Sequence, residues 1–226
     1  MSIATNLMAI QDRVSEAAAR SGRTTADIQL VAVTKTVDRD MIEAAYAAGL
    51  RHFGENRVQD MRDKFEVSVG PDCVVHLIGH LQTNKARDAV RYCQIVESVD
   101  RTSLVDALQR RCELEQVTLD ILIQVNIAGE EQKHGCDPNE LEELVVYAAK
   151  QPNLQVRGLM TIAPLVDDVE ETRAVFRGLR ESRDRLQEQH KNLQLTHLSM
   201  GMTNDYWVAI EEGATMIRLG RAIFQG

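Results

Sequence analysis

The sequence predicts an α/β fold, a single TIM-type (β/α)8 barrel with an extra N-terminal helix, occupying residues 1–226 as one domain. Three observations predict it. Short apolar runs alternate with longer amphipathic ones from residue 28 to residue 224. Eight of the short runs can be counted, and strands alternating with helices at this spacing specify a parallel sheet with crossover helices, eight units favouring closure. The 226 residues, 44% of them apolar, supply one sizeable core and leave little room for a second domain. An open doubly wound sheet is the alternative topology.

The first segment, within residues 1–22, places Ile3, Leu7, Ile10, Val14 and Ala17 three or four apart and stops at Gly22, as an amphipathic helix with a glycine terminator does. Strand one is then read at 28–33 with a helix over 38–48, strand two at 52–54 with a helix over 57–65, and strand three at 74–78 with a helix over 82–92. Strand four falls at 95–99 before a helix over 103–114, and strand five at 119–127 before a helix over 140–150. Strand six (156–162) precedes the long helix 169–189, strand seven (193–198) precedes 205–212, and 215–219 closes the series. Asp38 before Met41, and Asp137-Pro138 before Leu141, read as N-cap and first-turn residues.

Composition excludes several classes. Net charge is −8 and basic residues are interleaved with acidic ones, as between Arg180 and Arg185, so no stripe for nucleic acid is expected. No apolar run approaches the roughly 20 residues that cross a bilayer, and the N-terminus lacks a signal-peptide pattern, so a cytoplasmic protein without a membrane partner is expected. Cys73, Cys93, Cys112 and Cys136 form no CxxC and lie at no metal-ligand spacing with histidine, so reduced thiols and no metal are expected. Cys136, in the polar stretch Lys133-His134-Gly135-Cys136, is the one expected to be exposed. Nothing in the pattern demands an oligomer; the side of the long helix carrying Val175, Leu179 and Leu186 can simply pack on the barrel, and a monomer is the default.

In parallel barrels chemistry sits where strands end, so the residues following each run are the candidates. Strand one delivers Val33-Thr34-Lys35-Thr36, a lysine at the mouth. Such a lysine either snorkels outward or presents a desolvated amine of lowered pKa able to form an imine with an aldehyde. Which parity of strand one faces the axis is open. Ser199-Met200-Gly201-Met202-Thr203 follows strand seven and opens a helix, while Arg218-Leu219-Gly220-Arg221 follows strand eight. Hydroxyls, close-approach glycines and helix N-termini in adjacent loops suit a phosphate. A lysine facing such a cup is most simply explained by a phosphorylated aldehyde held covalently.

The stretches Val33-Thr34-Lys35, Phe53-Gly54-Glu55-Asn56-Arg57-Val58-Gln59, His76-Leu77-Ile78-Gly79-His80-Leu81-Gln82-Thr83-Asn84-Lys85, Leu198-Ser199-Met200-Gly201-Met202 and Arg218-Leu219-Gly220 resemble the pyridoxal phosphate homeostasis proteins, whose barrel is similar to the N-terminal domain of alanine racemase. The resemblance implies pyridoxal 5′-phosphate as cofactor, bound as a Schiff base on Lys35. It implies Ser199, Gly201, Gly220 and the backbone of Arg221 around the phosphate and Met200 packing against the ring or its loop. Thr203 stands in place of a frequent serine, Arg218 approaches the pyridine nitrogen, and Asn56 lies near the cofactor. Val75, where tryptophan is common, and Gln225, where glycine is usual, depart from the family pattern and put local packing in doubt.

A guanidinium can donate to a pyridine nitrogen but cannot accept from a pyridinium, which leaves the ring a weaker electron sink. Racemases of this fold add a tyrosine from a second domain of the partner subunit, and none is expected from a chain whose last residues follow strand eight directly. The resemblance therefore implies a cofactor store, buffer or delivery protein influencing amino-acid and keto-acid balance, without catalytic residues, with PLP-dependent apoenzymes as transient acceptors. A racemase-like enzyme acting through Lys35, or a cofactor-free Schiff-base lyase on a sugar phosphate, are the alternatives. Of six histidines, His76 and His197 read as core residues lacking a partner carboxylate, and His80, after Gly79, is the best placed for a functional part.

Overall fold

A computed structural model describes residues 2–130, 132 and 134–225. Lys133, one residue of the polar stretch singled out above, lies outside them. Among the described residues the chain forms eight parallel strands, β1 (Gln29–Val33), β2 (His52–Glu55), β3 (Val74–Leu77), β4 (Ile95–Val99), β5 (Leu119–Gln124), β6 (Leu154–Met160), β7 (His197–Ser199) and β8 (Met216–Leu219), hydrogen-bonded in that order into a closed barrel. Closure is made by β1 against β8, with Val31 beside Arg218. The doubly wound alternative is thereby excluded.

Each strand is followed by its helix. These are α2 (Arg39–Ala47), α3 (Val58–Phe65), α4 (Ala86–Tyr92), α5 (Thr102–Glu115), α6 (Leu141–Ala149), α7 (Thr172–Gln189), α8 (Tyr206–Glu211) and α9 (Arg221–Phe224). The extra helix α1 (Ile3–Arg20) is capped by the Ser2 hydroxyl, which accepts from the Thr5 amide. It buries Leu7, Ile10, Val14, Ala17 and Ala18 and is tied to the end of the barrel by the Asn6 amide donating to the Ile223 carbonyl at 2.9 Å. Val175, Leu179 and Leu186 share the buried side of α7, as their spacing predicts.

Differences from the predicted elements fall at their ends. Strand five stops at Gln124; the Val125 amide still donates to the Met160 carbonyl at 2.9 Å, and Val125 forms an isolated bridge with Cys136. Strand seven is three residues, since 193–196 run outside the β6 pairing that begins at Gly158 and His197. Asp38 caps α2, accepting from the Met41 amide at 3.0 Å. Asp137 instead closes a turn on Asn139, and α6 starts at Leu141 after Glu140, so Asp137-Pro138 is a turn preceding the helix and not its cap.

Two apolar clusters mark the two sides of the barrel wall. The larger, including Phe53, Leu77, Val96, Ile121, Leu159, Leu198 and Ile217, lies between strands and helices. The smaller, Leu122, Met160 and Met216, lies on the other parity, inside the barrel. Val75 belongs to the outer cluster, and a cavity of about 250 Å³ adjoins it. Among the described residues no helix is long and apolar enough to cross a membrane.

Candidate functional site

At the C-terminal mouth of the barrel a cavity of about 510 Å³ is lined by Lys35, Asn56, Arg57, His80, His134 and Arg218, over Val33, Ile78 and Ile162. With Val33 and Lys35 both lining it, the odd-numbered side chains of β1 are the ones that face the axis, which settles the parity left open by the sequence. A larger space of about 670 Å³ lies under α1, but its lining is mainly apolar and includes no lysine or arginine among the described residues. Converging polar groups, not size, mark the mouth as the site.

Lys35 lies in the turn after β1 and is exposed, not desolvated. Its backbone is held from the outer side of the wall. The Thr34 hydroxyl donates to Glu55 Oε1 at 2.6 Å, and Lys64 Nζ donates both to the same oxygen at 2.9 Å and to the Thr34 carbonyl at 2.7 Å. Glu55 is fully buried, so this contact is strong and geometrically selective. The glutamate of the Phe53-Gly54-Glu55-Asn56 motif thus secures the end of β1 while its neighbour Asn56 points to the cavity side.

Beneath the mouth runs a chain of buried and half-buried polar groups that sequence reasoning did not find. Arg218 Nη1 donates to Ser199 Oγ at 2.6 Å, and the Ser199 hydroxyl donates onward to Glu97 Oε2 at 2.5 Å. Glu97 Oε1 meets His76 Nδ1 at 2.6 Å, His76 Nε2 meets His52 Nδ1 at 2.9 Å, and Gln29 Nε2 contacts the same His52 nitrogen. Arg218 Nη2 donates to the Thr161 carbonyl at 2.8 Å. Burial alone would raise the Glu97 pKa, but the hydrogen bond and charge of His76, the charge of Arg218 and the Ser199 hydroxyl together hold it below the usual carboxylate range. Burial lowers the Arg218 pKa from its ordinary value, opposed by Glu97 and Asp205; the guanidinium stays charged. His76, read from sequence as a core histidine without a carboxylate, has one in Glu97.

The two closing loops divide their predicted residues. Arg218 lines the cavity, with Met202 beside it. Ser199 faces inward but is fully buried, its hydroxyl committed to Arg218 and Glu97. Met200, one residue on, points outward into the helix-facing core, so it supports the loop from behind and does not pack against the contents of the mouth. Gly201 has φ +94°, and a Cβ there would meet Ala209 Cβ at 2.7 Å and Tyr206 Cα at 2.9 Å, so only glycine fits. Asp205 closes this loop by accepting from the Met202 amide at 2.5 Å, and α8 begins only at Tyr206. Thr203 is half-buried in the turn between them. Gly220 lies against β1, where an added Cβ would come within 3.1 Å of the Val33 carbonyl, and Arg221 opens α9, whose first amides lack intrahelical acceptors.

Cys136, expected to be exposed, is buried at 5%. Its amide donates to the Gln124 carbonyl and its carbonyl accepts from Asn126, which draws the polar stretch against the end of β5; burial pushes the thiol up to about 12.

With this geometry in place, comparison with known proteins decides the family. The profile described as "Alanine racemase, N-terminal domain" matches residues 5–226. A pyridoxal phosphate homeostasis protein of Aquifex aeolicus is 42% identical over 99% of this chain and 98% of its own, and that of Escherichia coli is 36% identical over 98% and 95%. The chain belongs to the pyridoxal phosphate homeostasis protein family. Among solved structures, that of PipY from Synechococcus elongatus, with PLP bound, superposes with a TM-score of 0.87 at 38% identity, covering 99% of this chain and 100% of that one. An alanine racemase from Corynebacterium glutamicum superposes with a TM-score of 0.72 at 17% identity, covering 96% of this chain but 61% of the racemase, and shows the shared barrel alone. Family membership agrees with the resemblance carried by the five sequence stretches.

Proposed function

We propose that the barrel and its N-terminal helix act as one domain that binds pyridoxal 5′-phosphate for storage, buffering or delivery, and that the chain is not a conventional enzyme. The observation that carries this reading is the pairing of Lys35 with Arg218 in one cavity, a primary amine above a buried, fixed guanidinium. The cavity suits the group on its own chemistry. Lys35 has no hydrogen-bond or ion-pair partner among the described residues, and the glycine loop at Gly201 and the first turn of α9 bring backbone amides to the same end of the barrel. Relatives bearing the homeostasis name, and PipY with PLP bound, support the same assignment.

In this reading Lys35 holds the cofactor through its amine, Asn56 and Arg218 orient the ring, and the backbone of Gly201, Gly220 and Arg221 with Thr203 takes the phosphate. Ser199 serves from one layer below, by fixing Arg218. When bound, the cofactor offers an electrophilic carbon and an electron-withdrawing ring. Arg218 can only donate toward that ring, and its charge is already shared with Glu97 through Ser199, so the chain provides little to strengthen electron withdrawal. This favours holding the cofactor over turning it. Delivery to PLP-dependent apoenzymes and a cytoplasmic location are the finer parts of the proposal.

Titration of the purified chain with pyridoxal 5′-phosphate tests it. A visible absorption band at one equivalent per chain, lost in Lys35→Ala, is expected, with α-proton exchange of D- or L-alanine far below about 1 per second, the lower end of ordinary turnover. Exchange at enzyme-like rates would favour the racemase-like alternative, and the absence of any band would remove the cofactor.

A further inference from the structure

Three successive loops at the mouth each deliver one metal-ligating side chain to the same place. His80 follows β3, Asp100 follows β4 and His134 precedes the Cys136 bridge after β5. One ligand atom from each lies within 4.8 Å of the others. The two imidazoles stack with centroids 4.0 Å apart and planes 15° off parallel. Direct hydrogen bonding does not account for the cluster. His80 Nδ1 and Asp100 Oδ2 are 3.7 Å apart, beyond hydrogen-bond range, and no hydrogen bond is made by either imidazole among the described residues.

We infer that His80, Asp100 and His134 form a site for a divalent first-row transition ion, of the kind zinc represents, on the rim of the Lys35 cavity. Bond lengths of about 2.0–2.2 Å to nitrogen and carboxylate oxygen put the ligand atoms of a tetrahedral ion roughly 3.3–3.5 Å apart. From the 4.8 Å limit the cluster needs a contraction of up to about 1.5 Å to reach this, and because the rings stack nearly parallel one imidazole turns so that its lone pair converges on the ion. Two neutral imidazoles and one carboxylate match the preference of zinc, cobalt and nickel over magnesium or calcium.

The supports around the three ligands are built in. Arg101 Nη1 donates to Asp100 Oδ1 at 2.5 Å, leaving Oδ2 toward His80, and Arg101 Nη2 reaches the Leu81 carbonyl at 2.8 Å, tying the two loops together. The Ser98 hydroxyl donates to the Gly79 carbonyl at 2.7 Å beside His80, and Gln124 Nε2 donates to the His134 carbonyl at 3.1 Å. Outer-shell anchors of this type orient ligating groups. Three protein ligands leave at least one coordination position for water or for an anionic group of a molecule in the cavity, which His80 and His134 also line. The sequence marks His80 as placed for a functional part but not its partners, because the three members come from three loops with no fixed motif spacing.

This inference does not depend on the cofactor reading, and the test keeps the two apart. Tag-free full-length chain, with and without bound pyridoxal phosphate, is titrated with ZnCl2 by calorimetry and with CoCl2 by visible absorption. One ion per chain is expected, with His80→Ala and His134→Ala each weakening binding roughly tenfold or more, in keeping with the loss of groups that fix a metal. His190→Ala, at a surface histidine paired with Glu142, is expected to bind as the parent does. Circular dichroism verifies that the variants remain folded, and the cofactor absorption band reports on Lys35 separately. Absence of stoichiometric binding, or unchanged affinity in both His80→Ala and His134→Ala, overturns the site whatever the cofactor does.

Discussion

The Glu97 carboxylate and the Arg218 guanidinium approach to 3.9 Å inside the barrel, with the Ser199 hydroxyl hydrogen-bonded to both. Both charges are fully or almost fully buried. Buried pairs contribute little net stability when intact, but removing one partner strands the other charge in a medium that solvates it poorly. The arrangement therefore fixes where Arg218 points more than it stabilises the fold.

Glu97→Ala is expected to lower unfolding free energy by about 3–5 kcal/mol, the cost of an uncompensated buried charge. Urea denaturation measures it. Ser199→Ala keeps both charges and is expected to cost less, on the order of 1–3 kcal/mol, through unsatisfied hydrogen bonds to charged groups.

Acid stability reports on the lower end of the same chain. Burial, with the positive influence of His76, depresses the His52 pKa to about 4 from an ordinary 6.5. Between those values the unfolded chain binds a proton that the folded chain does not, so stability is unaffected above 6.5 and falls as pH drops from 6.5 toward 4. Allowing for its partial exposure, the loss is about 1–2 kcal/mol. Urea midpoints measured across that window should decline with acid in the parent, and less steeply in His52→Gln.

Gly201→Ala places a Cβ 2.7 Å from Ala209 Cβ at a backbone φ of +94°. A destabilisation of about 1–3 kcal/mol is expected from the strained backbone, with further cost from the clash. If Gly201 shapes the phosphate end of the site, pyridoxal phosphate affinity falls together with the melting temperature. Equilibrium titration alongside thermal melts separates the two effects.

Lys35 is exposed and has no hydrogen-bond or ion-pair partner among the described residues, so Lys35→Ala is expected to change stability by no more than about 0.5 kcal/mol. A thermal melt comparable to that of the ligand-free parent would show that its loss of colour reflects chemistry and not unfolding.

Strand-end positions were the legible part of the site. Lys35, Asn56 and Arg218 stand at or just beyond the ends of apolar runs, and counting eight runs places such residues at one mouth. What lay beneath was not legible. Glu97 sits in an apolar strand, and its partners are 21 and 102 residues away in the chain, so only barrel closure reveals the network. Strand parity was equally hidden: Ser199 and Met200 are neighbours in sequence, yet one enters the barrel interior and the other the outer core. Cys136 misled because glycine and polar neighbours suggest an open loop, whereas its backbone hydrogen bonds to Gln124 and Asn126 pull it under the surface.

Borohydride reduction of the chain loaded with pyridoxal phosphate, followed by digestion and mass-spectrometric mapping, tests the central assignment most directly. A single pyridoxyl-modified peptide containing Lys35 is expected. Modification confined to another lysine, such as Lys64 or Lys85, or no stable modification at all, would contradict it.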